Sequence, residues 1–219
     1  TTNLRAVPAA SLGIGALALR GHDARAQGWL DQAVRNARVI LGLFNADGSY
    51  AEGFGYATGT LLHLFGFLEA HQRADGSVRW ADEANLEGMV RFFLAMQAGR
   101  KPDGDPDIVN FSDAWNTSSY CVPAWLARQL EGTPAGNVAQ FAVERASYAN
   151  SYLDVLWVDP DRPVSHPPAS DLNVRLDLDW IACRTGWAAD DAVLAFRSGG
   201  PGNHEHADRN SLFYKVYGE

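Results

Sequence analysis

The sequence predicts a chain in two parts, helices first and a sheet second. Three observations carry this. Apolar residues recur at helical spacing through most of residues 1–158, a proline-rich stretch at 159–172 interrupts them, and apolar and polar residues alternate within 173–219. Segregation of this kind is the pattern of separate α and β domains rather than of βαβ units.

The first helical stretch, SLGIGALAL (residues 11–19), is small and apolar all round, as in a helix crowded by neighbours on several sides. In residues 24–44, Trp29, Leu30, Ala33, Val34, Ala37, Ile40, Leu41 and Phe44 share one face, with Asp31, Arg35 and Arg38 between them. NADGSYAEGFGYATG then inserts glycines and an Asp-Gly turn before an apolar helix at 60–72. Further helices are expected at 85–97, 120–130 and 138–156, with a polar loop, GRKPDGDPDIVNFSDAWNTS, between two of them. Consecutive helices of this kind pack as antiparallel hairpins.

DPDRPVSHPPASD holds four of the ten prolines and is unsuited to a helix interior, so it reads as a linker. VRLDLDWIACR reads as one strand, with Val174, Leu176, Leu178, Trp180 and Ala182 facing one way and Arg175, Asp177 and Asp179 the other. AVLAF (192–196) and SLFYKVY (211–217) supply two more. Three strands are few for an independent sheet. The β part is therefore expected to be truncated, or completed by something outside it.

With 219 residues and 47% hydrophobic content, the chain is long enough for a real core. Its net charge of −8 opposes general binding to nucleic acid or anionic membranes, though it leaves room for a local basic pocket. Cys121 and Cys183 are too few for a disulfide framework and lack zinc-finger spacing. No run approaches the roughly 20 apolar residues that span a bilayer. The start, TTNLRAV, has no initiator Met and no signal-peptide pattern, and reads as a cut.

Two stretches carry chemistry. In GGPGNHEHADR, an extended backbone places His204, His206 and Asp208 on one face. They suit a solvated loop, a proton-transfer site or a zinc site. Against a self-contained metallohydrolase, Arg209 stands where a further His is wanted, and no later His follows. In DGSYAEGFGYATG, Tyr50, Glu52 and Tyr56 sit among glycines before an apolar helix. Alone, this reads as an ordinary turn with half-buried tyrosines.

Taken together, three stretches resemble the heparinase II/III-like polysaccharide lyases, a family that includes alginate lyases. They are TTNLRAVPAASLGIGALAL, DGSYAEGFGYATGTLLHLFGF and CRTGWAADDAVLAFRSGGPGNHEHADRNSLFYKVYGE, found in the family's order. The resemblance implies an α/α toroid followed by an antiparallel β-sandwich, of which this chain holds the last toroid helices and the first strands. It also implies β-elimination at a uronic acid: a base takes the C5 proton, the carboxylate absorbs the charge, and the bond to the 4-oxygen breaks. No redox or nucleotide cofactor is required.

By position, Tyr56 matches the family's catalytic acid, in some substrates also the base, and His204 its catalytic histidine. Asn3 matches the Asn that helps hold the uronate carboxylate. Leu4 stands where some members have a second histidine, so the stereochemistry of proton removal stays open. His206 matches one ligand of a structural zinc whose partners lie beyond Glu219, leaving that site incomplete here. Glu52, Asp113 and Arg184 complete the candidate substrate contacts. Glu52 has an alternative role as anchor of the turn presenting Tyr56. Arg184 and Arg209 have one as partners of nearby acids, and Asp113 one in supporting the NFSDAWN loop.

His63 is expected in the core, and so, by default, are Trp125 and Trp187, which with Trp115 are also candidates for stacking on sugar rings. His22, His71 and His166 have no partner nameable from sequence. The expected partner is an acidic polysaccharide, with no nucleic acid or membrane and an open oligomeric state, and the family's location is periplasmic or secreted. A carbohydrate-binding fragment and a zinc hydrolase are the rival readings. Helix faces left uncovered are expected to give exposed apolar surface or association.

Overall fold

The computed structural model describes residues 3–113, 121–146, 152–200 and 209–216. A 3-10 turn at Asn3–Arg5 leads into α1 (Ala6–Ala18), followed by α2 (Ala26–Leu41) and α3 (Phe54–Ala74). In α1 the buried residues are Ala6, Ala9, Ala10, Gly13 and Ala16, and their small size lets both neighbours approach. A Cβ on Gly13 would lie 2.2 Å from Cε2 of Phe67 on α3. α2 buries Leu30, Ala33, Ala37, Ile40 and Leu41, the face its periodicity predicts.

α3 starts at Phe54, earlier than the expected 60, so the last six residues of the glycine-rich stretch are helix. Burial of Phe54, Ala57, Thr58 and Leu61 overrides the weak helix propensity of Gly55 and Gly59. On this helix His63 is exposed, not in the core as expected. Trp125 is fully buried and stacks on Phe65 at 3.8 Å.

α4 (Leu86–Ala95) begins at Asn85, whose side chain accepts from the Gly88 N–H at 3.0 Å. The expected polar loop then contains a small antiparallel hairpin, β1 (Gln97–Arg100) and β2 (Pro106–Ile108). α5 (Cys121–Gln129) follows. The single helix expected at 138–156 is instead α6 (Pro134–Glu144), capped by Thr133, and the short α7 (Tyr152–Trp157). Both lie against α5. The proline-rich stretch has no regular element until a 3-10 turn at Ala169–Leu172.

The expected strand at 174–184 is a hairpin, β3 (Asn173–Leu176) and β4 (Trp180–Arg184), reversed by Asp177–Asp179 with Asp179 at φ 57°. β5 (Val193–Arg197) and β6 (Ser211–Lys215) complete an antiparallel sheet of order β3-β4-β5-β6. One face buries Val174, Leu176, Trp180, Ala182, Val193 and Ala195 in a core continuous with that of the helices. Arg184, Arg197 and Lys215 are buried on this face as well. Across the other face run Ile181–Phe196–Leu212 and Cys183–Leu194–Tyr214, two apolar rows at the solvent.

The helices and sheet are joined by polar contacts too. Lys215 Nζ donates to Asp107 Oδ2 at 2.9 Å, and the Asp177 N–H donates to Asp47 Oδ2 at 2.6 Å. Among the described residues, no helix is long and apolar enough to cross a membrane.

Candidate active site

The site forms where the chain enters α3. Tyr56 sits in the first turn of that helix, directly after Gly53, which takes φ 90°. A left-handed conformation suits glycine, and here it also admits a neighbour. The Cβ that Gly53 lacks would come within 3.1 Å of the Phe111 carbonyl oxygen and 3.5 Å of Ser112 Cβ. The segment leading to Asp113 is thereby laid against the start of α3, where the Asp113 carboxylate accepts from the Tyr56 phenol.

Glu52 ties the other side. It is 5% exposed, and its Oε2 accepts from the Asn3 N–H at 3.2 Å and from the Tyr50 hydroxyl at 3.0 Å. The carboxylate thus fixes the turn before α1 against the turn before α3, an anchoring role. Tyr50 is itself buried and stacks on Phe44 at 4.7 Å. Asn3, Glu52, Tyr56 and Asp113, all named from sequence, therefore share one neighbourhood.

Both phenols are pushed above the ordinary tyrosine range. For Tyr50 the main cause is burial, reinforced by Glu52. For Tyr56 burial comes first, then the charge and hydrogen bond of Asp113, then the charge of Glu52. Each cause disfavours phenolate, so Tyr56 is held as a proton donor through neutral pH.

Arg184 lies outside this cluster. It is 8% exposed, and its Nη2 donates to the carbonyls of Leu94 and Ala95 at 3.1 and 2.9 Å, at the end of α4. Its guanidinium stands 4.2 Å over the Trp187 ring. Burial first, and Arg145 second, lower its pKa to about 10. Cation–carbonyl contacts at a helix C-terminus offset the dipole there, so Arg184 joins helix to sheet. Arg209 is exposed.

His204, His206 and Asp208 lie outside the described residues, as does Trp115. Among the described residues no group of three or more His, Cys, Asp or Glu is placed to hold a metal ion. Sequence reading missed Arg197 and Lys215 on the buried sheet face. The alternation Val193, Ala195, Arg197 carries the signal for the first of them, since it puts a cation on the apolar side.

No family model matches the chain, and no curated protein sequence matches it. Solved structures do. Heparinase III superposes with a TM-score of 0.71 at 13% identity, covering 100% of this chain and 34% of that one. The heparan sulfate lyase HepC from Pedobacter heparinus superposes with a TM-score of 0.61 at 17% identity, covering 96% of this chain and 30% of that one. A mutant of HepC gives a TM-score of 0.61 at 16% identity. At such identities the likeness is one of fold. The chain, helices followed by antiparallel sheet, has the fold of part of heparinase III and spans about a third of its length.

Proposed function

We propose that this chain is part of a polysaccharide lyase that cleaves a uronic-acid-containing substrate, heparan-like or alginate-like, by β-elimination. The observation that supports this most is the gathering of Asn3, Glu52 and Asp113 around Tyr56, on a fold shared with heparan sulfate lyases.

In this reading the Tyr56 phenol, kept protonated by burial and by its carboxylate neighbours, donates its proton to the departing 4-oxygen. The C5 proton is a poor acid, and its removal needs the uronate carboxylate neutralised as charge develops there. The Asn3 amide serves that carboxylate, and His204 is the base. Glu52 positions both turns, and Asp113 positions the Tyr56 hydroxyl. Proton transfer and bond cleavage require no redox or nucleotide cofactor. His206 retains its proposed place as one ligand of a structural zinc. The proposed location, periplasmic or secreted, is the one the family resemblance implies.

The test is incubation of the full-length protein that contains this chain with heparan sulfate, alginate and other polyuronates while following ultraviolet absorbance. A C4–C5 unsaturated product is expected, with turnover reduced about 10²–10⁴-fold in Tyr56→Phe. No product from any polyuronate, or a Tyr56→Phe protein as active as the parent, overturns the reading.

A further inference from the structure

A small cavity lies between the helices and the sheet, in a place the elimination does not use. Gln97 and Gly99 of β1, Arg145 after α6, Arg184 of β4, Gly186 and Trp187 contribute to its lining, and its volume is ≈ 10 Å³. That is room for one water-sized particle. Three buried donors on these lining residues, Arg145 Nε, Arg184 Nε and Trp187 Nε1, have no partner among the described residues. One acceptor, Gln97 Oε1, is in the same condition, its amide nitrogen being engaged with the Ala142 carbonyl at 3.3 Å.

The surrounding charge points the same way as the donors. Arg145 and Arg184 repel each other, and Arg100 repels Arg145. Asp191 opposes both lining arginines and Glu144 opposes Arg145, so among the described residues three guanidiniums act against two carboxylates here. Asp191 is already engaged, accepting from Thr185 Oγ1 at 2.8 Å and from the Ala188 N–H at 2.6 Å. Nearby Lys215 is neutralised by Asp107.

We propose that this cavity binds one monatomic anion of the chloride class, held by the Nε–H groups of Arg145 and Arg184 and the Nε1–H of Trp187. Water is the poorer occupant. It brings two acceptor sites and two donors to walls that offer three donors and one acceptor, so a buried N–H stays unsatisfied. A halide accepts from all three but leaves Gln97 Oε1 without a donor, so the bond count is even with water, and the surplus positive charge, which a halide neutralises and water does not, decides for the anion; sulfate or phosphate exceeds the volume. The ion ties β1, the end of α6 and β4 together at the junction of helix and sheet.

Crystals grown in sodium bromide test this directly. An anomalous peak is expected within hydrogen-bonding distance of the Arg145 and Arg184 Nε atoms. In solution, replacing sodium gluconate by sodium chloride at equal ionic strength is expected to raise the melting temperature by about 2–4 °C. Arg145→Gln abolishes that rise, and Trp187→Phe, which keeps the ring and loses the donor, reduces it. A cavity that holds water without anomalous signal overturns the proposal. So does a melting temperature indifferent to chloride, or a rise that survives in Arg145→Gln.

Discussion

The Cβ that Gly53 lacks would stand 3.1 Å from the carbonyl oxygen of Phe111, and this approach brings Asp113 to Tyr56. Gly53→Ala places a side chain at φ 90° and pushes it against backbone that has little freedom to yield. The conformational part alone costs about 1–2 kcal/mol. The expected result is a lower melting temperature together with a Tyr56 phenol that titrates at lower pH than in the parent, followed by NMR of ring-labelled tyrosine and assigned with Tyr56→Phe. A melting temperature that falls while the Tyr56 titration stays put would show that Asp113 is held by something other than this contact.

Asp113→Asn isolates the electrostatics from the geometry. The carboxylate raises the Tyr56 pKa both by its charge and by accepting the phenolic proton, while burial, the larger cause, is left intact. Neutralising it is therefore expected to lower the Tyr56 pKa only part of the way towards the ordinary value of about 10. If Tyr56 is the acid of an elimination, activity is lost where it ionises, and the alkaline limb of the pH–rate profile moves to lower pH in Asp113→Asn. An alkaline limb that does not move would remove Tyr56 from the acid role.

The helices were legible because their apolar faces obey a 3.6-residue period, and α2 is the clearest case. The β3–β4 reversal was hidden by its own parity. Leu176 and Trp180 pair across the turn on the same buried face, so the alternation runs through Asp177–Asp179 as if the strand continued. No Gly, Pro or Asn marks the bend, and Asp179, which tolerates a left-handed conformation, supplies it. The start of α3 was obscured in the opposite way, by glycines that read as loop but are held helical by the buried Phe54 and Leu61. For the site, Asn3 and Glu52 are far apart in sequence, and no local pattern says that the N–H of one meets the carboxylate of the other. The family resemblance implies a substrate contact for each, and the structure adds a hydrogen bond of 3.2 Å between them.

Tyr50 gives an alkaline signature in stability. Burial, with Glu52 beside it, raises its folded-state pKa above the unfolded value of about 10. Between those two values the unfolded chain binds fewer protons than the folded one, so stability is intact below about pH 10 and falls as pH rises above it. The slope from this one group reaches at most about 1.4 kcal/mol per pH unit. Tyr50→Phe is expected to cost about 1–2 kcal/mol at neutral pH, because Glu52 loses a donor, while flattening the alkaline fall. Denaturant unfolding at pH 8 and above pH 10 compares the two proteins, and equal alkaline slopes would contradict the assignment.

Gly13 and Gly15 stand two residues apart on α1 and are expected to respond with opposite signs. A Cβ on Gly13 meets the buried Phe67 ring at 2.2 Å, whereas a Cβ on exposed Gly15 meets nothing within 4 Å. Gly15→Ala is expected to stabilise by about 0.5–1 kcal/mol through helix propensity. In Gly13→Ala the same gain is opposed by an overpacking cost of about 1–3 kcal/mol, giving net destabilisation. Melting temperatures of the two variants decide it, and a Gly13→Ala protein as stable as Gly15→Ala would mean that the α1–α3 contact is loose.

The outer face of the sheet governs how the chain behaves in solution. Leu212 is 63% exposed and Tyr214 61%, and each completes a row of three apolar side chains across β4, β5 and β6. The 3-10 turn before α1 adds Leu4, α1 adds Val7 and Ile14, and α7 adds Val155, which is 83% exposed. Apolar groups in such rows drive association unless something covers them. The chain is expected to bind a hydrophobic dye and to scatter light as more than a monomer at micromolar concentration. Leu212→Lys with Tyr214→Lys interrupts both sheet rows without touching the buried face, so dye binding and apparent mass should fall together while the melting temperature holds. Clean monomeric elution of the parent without dye binding would show that these rows are not sticky enough to matter. Association that persists in the double variant would instead shift the contact to the exposed faces of α1 and α7.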